Sequence, residues 1–178
     1  KSAHLFSNDV RLVTDREIAV SEAVEEMSSN CIIVGTLGHN ELIDKLILKK
    51  KLDVSTLKDK WESFHIEVVR NPFPGVKKAL VVVGSDRRGT AYGLFSISES
   101  IGVSPWYWWA DAPVAKRKEL CLKVQKMTSE EPTVKYRGIF INDEDWGLLR
   151  WAKTNFEKER GNICLLYTSD AADERSSV

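Results

Sequence analysis

The run Ala79-Leu-Val-Val-Val-Gly-Ser-Asp-Arg-Arg-Gly89 constrains the fold more than any other stretch of the chain. Five unbroken apolar residues, β-branched at three positions, describe a strand covered on both faces. The chain leaves that strand at Gly84. Residues 87–101 then place Ala91, Leu94, Phe95, Ser98 and Ile101 on one face at helical spacing. Ser85 and Asp86 are suited to cap the helix, because a short side-chain oxygen can accept the orphan amides of its first turn. Gly102 stands where a helix commonly ends in the left-handed conformation. A buried strand delivering a capped helix is an α/β unit.

The same unit occurs earlier. Cys31-Ile-Ile-Val34 is a short apolar strand that empties through Gly35-Thr-Leu-Gly-His-Asn40 into a helix over residues 41–50. Lys49, Lys50 and Lys51 close that helix, where positive charge suits the dipole, and read as a solvated helix end. Residues 64–69 alternate like a half-buried strand. Asn71-Pro-Phe-Pro-Gly75 is a turn and residues 78–83 return, so these two strands are expected to pair antiparallel. Residues 10–13 read as a short strand. Thr14 or Asp15 then caps a helix over 16–27, carrying Ala19, Ala23 and Met27 as its stripe. Residues 120–124 read as a further strand. The expected architecture of residues 1–126 is therefore α/β, a mixed β-sheet with flanking helices.

Residues 127–134 are polar, contain a proline and read as a linker. Beyond them Lys135-Tyr-Arg-Gly-Ile-Phe-Ile141 is expected to be a buried strand running into the acidic turn Asn142-Asp-Glu-Asp145 and a helix over 146–159. Strand, acidic turn and helix make the first βα unit of a (β/α)8 barrel, with functional side chains at the strand's carboxyl end. Such a barrel needs about 250 residues, whereas 43 remain from Tyr136 onward. The expectation is a truncated barrel, a segment of a longer protein.

Charge and cysteine usage exclude several classes. The 26 basic and 26 acidic side chains balance, which gives no electrostatic reason to expect nucleic acid or an anionic membrane as partner. No window reaches the apolar length of a membrane span. Cys31, Cys121 and Cys164 are odd in number and far apart, and His4, His39 and His65 fall in no ligand pattern. Neither a disulfide framework, a metal site nor a cofactor is implied. Gly84-Ser-Asp-Arg-Arg-Gly89 lacks both G-x-G-x-x-G spacing and a Gly-Lys-Ser/Thr ending, so a nucleotide-binding reading of this turn is the weakest one.

The run from Gly84 to Pro113, together with Val134-Lys-Tyr-Arg-Gly-Ile-Phe-Ile-Asn-Asp-Glu144, resembles glycoside hydrolase family 115, the xylan α-glucuronidases. Ile33-Val-Gly-Thr-Leu-Gly-His39 and Trp61-Glu-Ser-Phe64 fit the same family, and the resemblance covers roughly residues 10–163. It implies an accessory N-terminal domain over 1–126 and the start of a catalytic barrel over 135–163. It further implies an inverting enzyme that removes (4-O-methyl)-α-glucuronic acid from glucuronoxylan. A secreted, periplasmic or cell-surface parent follows from that role, as does room for a homodimer. The rival from another class is a non-catalytic carbohydrate-binding or interaction domain.

Glycoside hydrolysis generally employs two carboxyl groups flanking the scissile bond. By the resemblance, Glu144 or Asp143 is the catalytic carboxylate, Asn142 contacts the sugar, and the second carboxylate comes from the rest of the barrel. The competing reading makes Asp143 or Asp145 a helix cap. Glu144 is a poor partner for the sugar's own carboxylate, because like charges repel, and Arg137 reads as structural. Trp106, Tyr107, Trp108 and Trp109 form either an aromatic wedge between domains or a sugar-stacking platform, in which Trp108 is the substrate contact and Asp111 faces the same cleft. Finally, Cys164-Leu-Leu-Tyr-Thr-Ser-Asp-Ala-Ala-Asp-Glu174 resembles the conceptual translation of a transposase-type sequencing adaptor. Residues 164–178 are accordingly expected to be a non-native, irregular and exposed tail.

Overall fold

A computed structural model describes residues 1–22, 27–107, 112–122 and 126–138. The chain divides into two compact units, Lys1–Thr133 and Val134–Val178. In the first, helix α1 (Ser2–Thr14) precedes strand β1 (Asn30–Thr36), helix α2 (Glu41–Leu48), strands β2 (Phe64–Arg70) and β3 (Lys78–Gly84), helix α3 (Arg87–Ser100) and the two-residue strand β4 (Met127–Thr128). Single 3₁₀ turns at Ser55–Leu57 and Pro105–Tyr107 complete the set.

The sheet runs β1-β3-β2-β4. Strand β3 pairs parallel with β1, with Val34 opposite Val82, and antiparallel with β2, with Ile66 opposite that same Val82. Hydrogen-bonded on both edges and covered on both faces, β3 has no solvated side, which is why it is a continuous apolar run. Its side chains alternate. Ala79, Val81 and Val83 join Ile33 and Val69 beneath α2, where Ile43, Leu46, Leu52, Val54 and Leu57 close one core. Val82, with Leu80 partly buried, faces the other way, onto Phe6, Val10 and Val13 of α1, Leu94 and Ile97 of α3, and Ile101 just past its end. Full burial of each such side chain stabilises by about 1.5–3 kcal/mol.

The helix starts follow from local chemistry. Asn40 Oδ1 accepts Leu42 N at 3.0 Å and Ile43 N at 3.2 Å, opening α2. Asp86 Oδ1 accepts Gly89 N at 2.7 Å, opening α3. Gly102 ends the α3 segment at φ +103°, as its position suggests. On the outer helices Ser98 Oγ donates to Asp9 Oδ2 at 2.7 Å, a polar tie between α3 and α1. Burial raises the Asp9 carboxyl above its usual value, with the Ser98 hydrogen bond opposing that rise.

Four expectations are corrected. Residues 10–13 are not a strand but the last full turn of α1. Phe6, Val10 and Val13 recur at helical spacing, and tertiary burial decides against the local β preference of Val-x-x-Val. Thr14 and Asp15 therefore end a helix rather than start one, with Asp15 left-handed at φ 57°. Residues 16–21 are irregular, so the helix expected over 16–27 is absent there, and residues 23–26 lie outside the described set. Of the strand expected over 120–124, residues 120–122 are irregular and residues 123 and 124 lie outside the described set. Leu120 and Leu122 pack partly buried on the α1/α3 core, and Arg117 N donates to Val13 O at 2.8 Å. That segment covers the core as a strap rather than a strand. The linker expected from residue 127 instead supplies β4, with Thr128 opposite His65 and Met127 opposite Ile66.

In the second unit the strand expected from Lys135 is not formed over residues 135–138. Tyr136 is 81% exposed, Arg137 Nη1 donates to Val134 O at 2.5 Å, and Lys135 lies over the Tyr136 ring at 5.6 Å. These are local contacts; among the described residues no neighbouring strand pairs with this backbone. Residues 139–141 lie outside the described set.

Candidate functional site

Asn142, Asp143, Glu144, Trp108 and Asp111 lie outside the described residues. What is described is the framework that precedes them in the chain, with residues 112–122 and 126–138 following Trp108 and Asp111, and its polar chemistry gathers in two places.

The first is the turn at the carboxyl end of β3. In open α/β sheets ligands bind outside the carboxyl ends of parallel strands, and β1 and β3 end side by side at Thr36 and Gly84. Here the turn is closed by its own chain. Asp86 uses both carboxylate oxygens, Oδ1 on Gly89 N and Oδ2 on Glu62 N at 2.7 Å. Ser85 N donates to Ser63 O at 2.8 Å, and Ser85 Oγ accepts Ser63 N at 3.0 Å. Thr90 Oγ1 lies 2.8 Å from Thr36 Oγ1 and donates to Gly35 O at 3.1 Å. A Cβ on Gly84 would fall 2.0 Å from Thr90 N, and one on Gly89 would fall 2.1 Å from Ser63 O. The two glycines are thus required by close backbone approach, not by a ligand. The amides of Ser85, Gly89 and Thr90 are engaged within the turn, which leaves less of it to present to a phosphate.

Arg88 Nη1 reaches Glu62 Oε1 at 2.8 Å from above this turn. Glu62 is 5% exposed and adopts φ 51°, a conformation unusual for a non-glycine residue. Sequence reasoning singled out Trp61-Glu-Ser-Phe64 as a motif without assigning Glu62 a role. The structure gives it one, as the clamp that holds the 61–63 loop to α3.

The second place is the outer edge of β2. His65 is 1% exposed. Its Nδ1 lies 2.6 Å from Thr128 Oγ1 on β4, and its Nε2 lies 3.4 Å from Glu67 Oε2. That second contact does not make a well-formed hydrogen bond; it is an electrostatic contact at the long end of the range. Lys126 Nζ stands 3.2 Å from the same Glu67 oxygen. Asp53, nearby, is held below the usual carboxylate range by hydrogen bonds from Ser55, with Lys126 and His65 adding smaller contributions. The sequence offered only an isolated histidine here, since His65, Lys126 and Thr128 are brought together by β4, which is too short to show a periodicity. Among the described residues no group of three His, Cys, Asp or Glu side chains is arranged to hold a metal ion. No described helix is long and apolar enough to cross a membrane.

Comparison with known proteins supplies what geometry alone does not. Residues 129–170 match the family model "Glycosyl hydrolase family 115". That match contains the turn with Asn142, Asp143 and Glu144, and it runs past Cys164, where the adaptor-like stretch begins. No curated protein matches the chain. Among solved structures, a family GH115 4-O-methyl-α-glucuronidase, BtGH115A, with specificity for decorated arabinogalactans, is similar with a TM-score of 0.68 and 39% identity. The similarity covers 91% of this chain, and the chain spans 19% of the length of that protein. Motifs, family model and backbone agree: this chain resembles glycosyl hydrolase family 115 in sequence and in fold alike.

Proposed function

We propose that this chain is part of a glycoside hydrolase that removes 4-O-methyl-α-glucuronic acid side chains from an acidic polysaccharide. The observation that carries the reading is the family match over residues 129–170, which contains the Asn142-Asp-Glu144 turn. In the proposed mechanism one carboxyl of Asp143 or Glu144 acts on the glycosidic centre, and a second is supplied by the remainder of the barrel. Inversion requires a water between substrate and base, so the two carboxyl groups stand about 6.5–9.5 Å apart. Asn142 positions the sugar by hydrogen bonding, and Trp108 offers it an apolar face. The substrate is glucuronoxylan. A second reading, favoured by the specificity of the similar solved enzyme, is an arabinogalactan carrying the same uronate. The parent acts outside the cytoplasm, at the cell surface, in the periplasm or in the medium, and is compatible with a homodimer.

The test uses the full-length parent. Glu144→Gln keeps the side chain's size and removes its charge, and the loss of a catalytic carboxylate lowers kcat by about 10²–10⁴-fold. Retention of activity within a few fold would return this turn to the role of a helix cap. The 178-residue chain alone is expected to release no uronate, because bringing both groups to the bond is much of the catalysis.

A further inference from the structure

The hairpin joining β2 to β3 lies at the end of β3 opposite the Gly84 turn, and it forms an open groove of about 550 Å³. Lys49, Lys51 and Lys77 line it together with Pro72, Phe73 and Pro74, and no lining residue is acidic. The charge is local. The chain as a whole is neutral, yet neither residues 45–52 nor residues 68–85 contain an Asp or Glu.

The groove is shaped before any ligand arrives. Pro72 and Val76 are buried and form its floor. Two of its lining residues are left-handed, Asn71 at φ 48° and Gly75 at φ 82°, and Lys50 at φ 54° turns the chain between the lining Lys49 and Lys51. Asn71 N donates to Lys77 O at 2.8 Å, and Lys51 Nζ donates to the Asn71 carbonyl, tying the end of α2 to the hairpin. Lys49 Nζ rests 5.8 Å from the centre of the Phe73 ring, within cation–π range. Lys49 and Lys51 are thereby tied beside one apolar wall, and the exposed Lys77 lines the same groove.

That combination selects a ligand chemistry. A small inorganic anion would meet the lysines and leave the ring and prolines unused. A neutral sugar would meet the wall and leave the charges unused. A uronic acid has both parts, a carboxylate for the ammonium groups and an apolar C–H face for Phe73 and the prolines. We propose that this groove binds a uronate of an acidic polysaccharide chain, a holding site on the Lys1–Thr133 unit built from residues other than the Asn142–Glu144 turn. The inference rests on the reading of the parent as an enzyme of glucuronate-bearing polysaccharide. The site keeps a decorated chain at the protein while individual side groups are removed, so its own affinity is weak and salt-sensitive.

The test titrates 4-O-methylglucuronosyl-xylotriose into the 178-residue chain and follows amide resonances. Shifts confined to residues 49–51 and 71–77, fading as salt rises and absent with xylotriose, are expected. The double substitution Lys49→Glu with Lys77→Glu should weaken binding at least about tenfold, the effect of removing roughly 1.4 kcal/mol of attraction. Lys77→Gln, milder and at an exposed position, should weaken it less. Unchanged resonances of β1 and β3 report that each variant is folded. Equal shifts with xylotriose, the same shifts with inorganic phosphate at the same concentration, or undiminished binding by the double variant would overturn the proposal. Release of 4-O-methylglucuronate by the wild-type parent, assayed alongside, tests the enzymatic reading separately. Activity without groove binding sinks only the groove, and groove binding without activity sinks only the enzymatic reading.

Discussion

The two faces of the sheet are covered in different ways. On one side lie two helices, the 13-residue α1 and the 14-residue α3, whose apolar stripes meet Ile66 and Val82. On the other lie the 8-residue α2, the irregular stretch carrying Leu52, Val54 and Leu57, and the hairpin loop with Val76. The second side also accepts buried polar groups. His65 stands opposite Val83 and Glu67 opposite Val81, so both side chains point beneath the loop-covered face. Helix backbones satisfy themselves and offer a buried imidazole little, whereas an irregular cover can bring Thr128 and Lys126 to it. Long helices tie their buried polar groups to one another, as Ser98 does with Asp9; the loop-covered face carries a buried imidazole on the sheet itself.

The largest test of that contrast is a pair of truncations. Leu94→Ala and Leu57→Ala both remove a buried leucine, 0% and 1% exposed respectively. Leu94 lies between two helices and a strand that cannot close the gap, so its loss should cost about 3–5 kcal/mol in denaturant titrations. Leu57 sits in a single 3₁₀ turn that can settle inward, and should cost about 2–3 kcal/mol. Equal losses would show that the loop-covered face is as rigid as the helical one.

A second, smaller effect concerns how α3 is seated. Gly89→Ala puts a methyl 2.1 Å from Ser63 O, a backbone atom that cannot rotate away. The helix must shift from the 61–63 loop, at about 1–3 kcal/mol, and a melting temperature unchanged within a degree would contradict the close approach. Third comes Arg88→Ala, which leaves the buried Glu62 carboxylate with fewer partners. Arg88 is itself mostly exposed, so solvent screens the pair and the loss should be about 1 kcal/mol.

The smallest concerns pH. The folded Asp9 carboxyl is raised above 3.8 by burial. An acid raised in the folded state adds stability that is fully present below its unfolded value and is lost as pH rises through the folded value. Wild-type stability should therefore carry a contribution that falls as pH rises above 3.8 and through the raised folded value, which Asp9→Asn removes while its amide oxygen still accepts from Ser98 Oγ. At neutral pH Asp9→Asn should be slightly more stable, by under about 1 kcal/mol because the side chain is only half-buried. A less stable variant at pH 7 would show that the charge itself matters to the α1–α3 contact.

The same contrast explains what was legible in the sequence. Strands β1 and β3 were readable as unbroken apolar runs, β2 by its alternation and helices α2 and α3 by caps and apolar spacing, and Asp86 was readable because capping is local. Helix α1 was hidden by Val10-Arg-Leu-Val13, four residues equally compatible with strand and helix until Phe6 is seen packing beside them. Strand β4 was invisible, since two residues have no period. Of the chemistry, Glu62 and His65 could not be placed, because their partners Arg88 and Thr128 are distant in sequence and only the sheet brings them close. Asn142, Asp143, Glu144 and Trp108 were legible only through family resemblance, for spacing alone leaves the acidic turn divided between cap and catalyst.

The order of the sheet has a consequence for time as well as for shape. Strands β2 and β3 are neighbours in sequence and meet through the turn at Asn71 to Gly75, whereas β1 must wait for Asn30 to find Lys78 across the intervening α2 and β2. Closing the shorter loop costs less chain entropy and is faster. Folding should therefore begin with the hairpin, and β1 should dock on an edge already formed. Changes in the hairpin turn would then slow folding, while changes in β1 would chiefly hasten unfolding. The hairpin side of the groove would take its form early, and the lysines at the end of α2 would join it later.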